Sequence, residues 1–217
     1  MKTTDNTYKY AGLFVAMVLP VLMGFFKLTF SNNAITDTLI KESIVWSLFF
    51  MLIIIARYGE KEPLAFSTNN MSLPATLGLS LIIVLSFFVF SMFFGIIYML
   101  IFKSHPPQEA MLDRFKKYPM WLKLILALRA GIVEETFFRA YAMSRIKQLT
   151  NNNFLAFIIP LMFFAAGHYV YGTITHIVGA FFIGGILAAY YLQRKNLIAN
   201  IIAHSIFDLL AFAAKYT

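Results

Sequence analysis

Seven apolar runs, most of them near the length needed to cross a bilayer, leave this chain little choice of fold. About 20 apolar residues are needed per helical crossing. Runs of this kind recur at Tyr10 to Phe26, Ile44 to Ala56, Leu73 to Phe102, Trp121 to Met143, Phe154 to Val170, Thr173 to Leu192 and Leu197 to Ala214. With 60% hydrophobic and only 13% charged residues, 217 residues cannot hide that surface in one soluble core, so lipid must solvate it. The expected fold is an all-α polytopic membrane bundle in a single domain, residues 1–217, with seven helices as the simplest count. A short second run, and a long third run that a break near Gly95 would divide, bracket that count at six to eight.

Lys2 and Lys9 precede the first apolar run in the charge order of a signal peptide, but no small-x-small cleavage site follows, so the run reads as an uncleaved first span. The absence of cysteine excludes disulfides, thiolate catalysis and sulfur-based zinc sites. A formal net charge of +8 does not indicate nucleic acid, because the Lys and Arg residues stand in ones and twos at the ends of apolar runs, as in membrane proteins. On a seven-span chain they divide eight to seven between the two sides, so charge sets no orientation. There is no internal repeat, low-complexity tract or soluble domain. The longest polar connections are Arg57 to Ser72 and Lys103 to Tyr118. In the second, Met111, Leu112 and Phe115 fit either a short helix on the membrane surface or a solvated loop with a basic face.

Against this background the ionisable residues inside the apolar runs stand out. Of ten acidic residues, Glu134, Glu135 and Asp208 lie there, as do His168 and His204 of four histidines. Each costs at least a few kcal/mol in hydrocarbon, which makes it a functional-site candidate by default. Residues four apart share a helix face, so Glu135 and Arg139 form a favourably ordered ion pair. Glu134, about 100° away, is then the freer carboxylate, and a desolvated carboxylate is a competent general base. The opposing reading of Glu134 and Glu135 is the salt-bridged end of an interfacial helix. His168 on its own reads as a packing histidine, whereas His204 and Asp208 lie one turn apart among Ile201, Ile202, Ile206 and Phe207. His176 has no motif partner, and Gly179, Gly184 and Gly185 read as sites of close helix packing. Counted from the side that holds the four–five and six–seven connections, the candidates lie about 12 to 24 Å deep at 1.5 Å per residue, which tilt can bring to one level near mid-membrane.

The order of these residues resembles a known family. Glu-Glu-x-x-x-Arg (Glu134, Glu135, Arg139), Phe-x-x-x-His (Phe164, His168), a span rich in Phe and Gly (Phe181 to Gly185) and His-x-x-x-Asp (His204, Asp208) are similar to the CAAX protease and bacteriocin-processing (Abi) family of intramembrane endopeptidases, relatives of the Ras-converting enzyme. The resemblance spans about Ala127 to Leu210. It implies that Glu134 and His168 activate the attacking water, that His204 and Asp208 stabilise the oxyanion or hold the groups that do, and that Glu135 with Arg139 supports them. Relatives carry Asn or Asp at the last position; an ionised Asp208 repels an oxyanion, so it acts protonated or by orienting His204.

Two His with carboxylates are zinc-competent ligands, but no His-Glu-x-x-His is present, and the expectation is that no metal is required. The expected partners are a peptide or membrane-protein substrate and membrane lipids, in the cell membrane, with no nucleic acid. The resemblance favours processing or degrading a peptide such as a bacteriocin or pheromone precursor, or bacteriocin immunity. A non-proteolytic scaffold for a membrane partner and a proton-coupled transporter are the alternatives. The intact motif set argues against the first and the lack of an inverted repeat against the second.

Overall fold

A computed structural model describes residues 2–26, 28–62, 64, 70–104 and 115–213. Seven helical rods account for nearly all of them: α1 (residues 2–26), α2 (Ala34–Gly59), α3 (Leu73–Phe102), α4 (residues 120–150), α5 (Asn153–Tyr171), α6 (Ile174–Arg194) and α7 (Leu197–Ala213). The expected surface helix after Lys103 falls largely on residues 105–114, outside the described residues.

Local chemistry marks the helix ends. Side chains of Asn33, Ser72, Asn152 and Thr173 accept backbone N–H bonds at the starts of α2, α3, α5 and α6, where four N–H groups otherwise lack partners. Asn151 and Lys195, at φ 51° and 50°, close α4 and α6 in the left-handed conformation, and Gly172 at φ 81° does so after α5. Connections this short make α4, α5, α6 and α7 run as consecutive antiparallel neighbours.

Among the described residues, five helices are long and apolar enough to cross a membrane: Asn6–Phe26, Ala34–Gly59, Leu73–Phe102, Asn153–Tyr171 and Ile174–Arg194. The other two differ for physical reasons. α7 is shorter, and α4 carries Lys, Arg and Glu along its length. α4 is the hub of the bundle: from Ala130 to Met143 every residue but Ile132 and Glu134 is buried, so its charges meet protein rather than lipid. α3 is its opposite. Leu79, Ile83, Val84 and Phe87 face α6 and α7, while Leu77, Leu81, Leu85, Met92 and Ile97 are exposed, as suits a lipid-facing helix. α3 runs through Gly95 unbroken, so the possible break there does not occur.

α2 begins at Ala34, ten residues before the apolar run that announced it, and so brings Asp37, Lys41 and Glu42 into the helix. The centre of α4, Ala130–Met143, is π-helical, with backbone bonds from i to i+5 rather than i to i+4.

Gly131 lets α7 approach α4. A Cβ there would lie 2.1 Å from Ser205 Oγ and 2.6 Å from Ile201 O, and the latter is backbone and cannot swing aside. Gly131→Ala is therefore expected to cost about 1–3 kcal/mol by overpacking, read as a lower melting temperature in detergent. Gly78→Ala, with nothing within 4 Å, serves as the neutral control. Of the three glycines expected to permit close packing in α6, Gly184 does so, its Cβ position lying 2.7 Å from Phe164, whereas Gly179 faces open space and Gly185 makes only ordinary contact.

At one end of the bundle, α1, α2 and α4 are tied by a second buried polar cluster. Arg145 Nε meets Glu60 Oε2 at 2.6 Å and its Nη2 donates to the Glu62 carbonyl at 2.7 Å, while Tyr141 donates its hydroxyl to Glu60. Each charge there has a partner, which is the condition for tolerating it away from water.

Candidate active site

A fully buried carboxylate organises the site. Glu135, with no solvent exposure, accepts at Oε1 from Arg139 Nη1 and from His204 Nδ1, each at 2.9 Å, and at Oε2 from Asn200 Nδ2 at 3.1 Å. Arg139 in turn donates from Nη2 to the Gly184 carbonyl at 2.9 Å and lies 4.5 Å over the Phe164 ring. Asn200 reaches the Leu187 carbonyl at 2.8 Å. One carboxylate thus locks α4, α6 and α7 together, and the pairing offsets the cost of desolvating both charges. The i, i+4 pair expected between Glu135 and Arg139 is present, with two further bonds that spacing alone did not suggest.

Beside this cluster is a cavity of about 470 Å³ whose wall includes Glu134 from α4, His168 from α5 and Asp208 from α7. Glu42, Arg129 and Tyr171 also line it. Leu28 and Phe30 from the α1–α2 connection, Tyr118 before α4 and Phe212 near the end of α7 extend its wall toward the end of the bundle that holds the α5–α6 turn. The candidates do converge, as topology allowed, but toward the end opposite the one from which their depth was counted. His168 sits in the final turn of α5, three residues from its end at Tyr171. Glu135, Arg139 and His204 are buried outside the cavity wall.

Glu134 is the freer of the two carboxylates, with one bond against three for Glu135, yet it has a partner that α-helical spacing did not suggest. Arg129 Nη1 donates to its Oε1 at 2.5 Å, and Arg129 Nε engages both oxygens of Glu42, at 3.0 and 3.3 Å. The reason lies in the backbone: where bonds run i to i+5, residues 129 and 134 fall on neighbouring turns of one face. Only one oxygen of Glu134 is engaged in this way among the described residues.

His168 Nδ1 donates to the Phe164 carbonyl at 2.8 Å, because a carbonyl can only accept. A neutral ring in that tautomer keeps Nε2 as an acceptor. The sequence left Asp208 two roles, a protonated donor or the group that orients His204. The Nδ1 of His204 is fixed by Glu135, and its Nε2 lies 3.7 Å from Asp208 Oδ2, beyond hydrogen-bond length. Orientation of His204 therefore belongs to Glu135 rather than to Asp208. His176 pairs with the Thr173 side chain that caps α6, Nδ1 to Oγ1 at 2.5 Å, and has no place in the cavity wall.

Three participants escaped the sequence reading: Asn200, Arg129 and Glu42. Asn200 stands one turn before His204, so a stripe Asn-x-x-x-His-x-x-x-Asp was there to be read. Asn33 as a helix-starting residue, with Asp37 in the first turn, would have extended α2 back over Glu42. Among the described residues, no group of three or more His, Asp or Glu side chains is placed to hold a metal ion.

Residues 116–210 match the family model described as Type II CAAX prenyl endopeptidase Rce1-like. No curated protein and no solved structure matches the chain. The matched stretch runs from just before α4 to the last third of α7, and so contains every residue of the buried cluster and, of the cavity-wall residues named above, all but Leu28, Phe30, Glu42 and Phe212. A helical bundle with apolar spans, carboxylate and imidazole groups converging on one cavity within it, and this match over residues 116–210 make the chain similar to the CAAX protease family of membrane peptidases.

Proposed function

We propose that this peptidase cleaves its substrate with a water molecule activated by Glu134 and hydrogen-bonded to His168. The observation that carries the reading is the convergence of Glu134, His168 and Asp208 from three helices on one cavity. The unengaged oxygen of Glu134 takes a proton from water as it attacks the scissile carbonyl, and the acceptor nitrogen of His168 orients that water. The proton then passes to the amine nitrogen as the C–N bond breaks. His204, gripped at Nδ1 by Glu135, presents Nε2 behind Asp208, and a protonated Asp208 in the cavity wall donates to the tetrahedral oxyanion.

No metal enters this scheme, in keeping with the guanidinium against Glu134. The substrate class is a short membrane-associated peptide, such as a bacteriocin or pheromone precursor, processed or degraded in the cell membrane. The aromatic lining from Phe115, Phe137 and Phe138 suits an apolar side chain next to the scissile bond. The test is incubation of purified protein in liposomes with prenylated and unprenylated peptides, with products identified by mass spectrometry. Cleavage that survives chelator treatment is expected; no product from any peptide, or activity lost to chelator and restored by zinc, overturns the reading.

Asp208→Asn separates the two roles open to that residue. Because Glu135 already holds His204, the amide keeps a donor of nearly the same shape, and activity within about tenfold of wild type is expected. A loss of about 10⁴ at normal abundance, the size seen when a buried Asp fixes a catalytic histidine, would instead assign Asp208 to orienting His204.

A further inference from the structure

Arg129 stands between two carboxylates from different helices, and the way it divides its N–H groups has a consequence for Glu134. A guanidinium facing a single carboxylate prefers to bind both oxygens through two parallel N–H bonds. Here the Nε edge is taken by Glu42, which offers both oxygens at 3.0 and 3.3 Å, and Glu134 receives one N–H, from Nη1 to Oε1. All three groups are largely buried: the side chains of Glu42, Arg129 and Glu134 are 10%, 20% and 22% exposed. In such surroundings little bulk water competes for the guanidinium, so the two carboxylates compete for it chiefly with each other.

We propose that Glu42 is a positioning residue for the hydrolysis: by occupying the Nε edge of Arg129 it keeps the guanidinium from closing on both oxygens of Glu134 and so leaves one oxygen free for water. This rests on the reading of Glu134 as the base. It adds to the site a residue of α2, outside the matched stretch 116–210. The arrangement also sets the charge. Two carboxylates and one guanidinium leave the group at −1 when all are ionised, whereas loss of Glu42 leaves Glu134 neutralised by a cation that no longer has a competing partner.

The experiment compares wild type with Glu42→Gln, Glu134→Gln and the double variant Glu42→Gln/Arg129→Gln, each reconstituted in liposomes with a peptide that the wild type cleaves. Glu42→Gln leaves Arg129 paired with Glu134, so no charge is orphaned and abundance should be normal; a neutral amide that accepts through one oxygen in place of two no longer holds the guanidinium against the pull of the Glu134 carboxylate. Its kcat should fall about 10- to 100-fold, the scale of a misplaced catalytic group, with KM within twofold. The double variant removes the clamp and returns the group to −1, so its kcat should rise above that of Glu42→Gln. A merely structural role makes the double variant worse than the single. Wild-type kcat in Glu42→Gln, a loss that tracks abundance, or a double variant slower than the single each overturns the proposal. Glu134→Gln keeps the two readings apart. If it is inactive while Glu42→Gln is normal, only the role of Glu42 falls; if it cleaves normally, the base assignment falls and the role of Glu42 with it.

Discussion

Glu134→Gln is expected to lower kcat by about 10²–10⁴, the usual contribution of a general base, while the protein inserts and accumulates normally. The amide has nearly the shape of the carboxylate and its oxygen can still accept from Arg129 Nη1, but it cannot take a proton from water. Folding should survive because Arg129 keeps its second partner: with Glu42 at 3.0 Å, no cation is left unpaired. Initial rates in liposomes, set against abundance in the same membranes, measure both halves of this expectation. Normal cleavage by the variant would remove Glu134 from the base role. His168→Ala should be comparably slow, and the double variant little worse than the slower single, since groups that act on one water fail together.

The other large effect is expected at Arg139, where chemistry and stability are joined. Arg139→Ala takes from fully buried Glu135 its guanidinium partner and from the Gly184 carbonyl its side-chain donor. Breaking a buried pair on one side costs about 3–5 kcal/mol, a large share of the stability of most domains. A lower melting temperature and reduced abundance should therefore accompany lost activity, the latter because Glu135 also holds His204 Nδ1. A variant that is inactive yet melts like wild type would move Arg139 from this supporting role to contact with substrate.

These expectations draw unequally on sequence and structure. The Glu135–Arg139 pair was legible because i, i+4 spacing brings side chains together in α- and π-helical backbone alike. The state of Glu134 was not, because whether a stretch of helix bonds i to i+4 or i to i+5 depends on what it packs against, and Ala130–Met143 is packed on nearly every side. Glu42 was hidden by the habit of reading a membrane helix from its apolar residues: the run that marks α2 begins at Ile44, and the polar turns before it belong to the same helix. Asp208 and His204 were correctly placed on one face, yet the partner that fixes His204 lies on another helix, 69 residues away in the chain.

The sequence by itself determined the class of structure and the list of candidate groups. Apolar runs of bilayer length must form helices, because lipid offers the backbone no other partner, and ionisable residues within such runs must be paired or functional, because hydrocarbon penalises them otherwise. Only the tertiary structure decided which charge meets which. Pairing between helices depends on their approach and rotation, set here by contacts such as that of Gly131 with Ser205 and Ile201, and a shift of a single residue's rotation would exchange Glu134 with Glu135 as the carboxylate that faces the cavity. That distinction is three-dimensional because both residues carry the same side chain, and only their neighbours, Arg129 with Glu42 for one and Arg139, Asn200 and His204 for the other, make them chemically different.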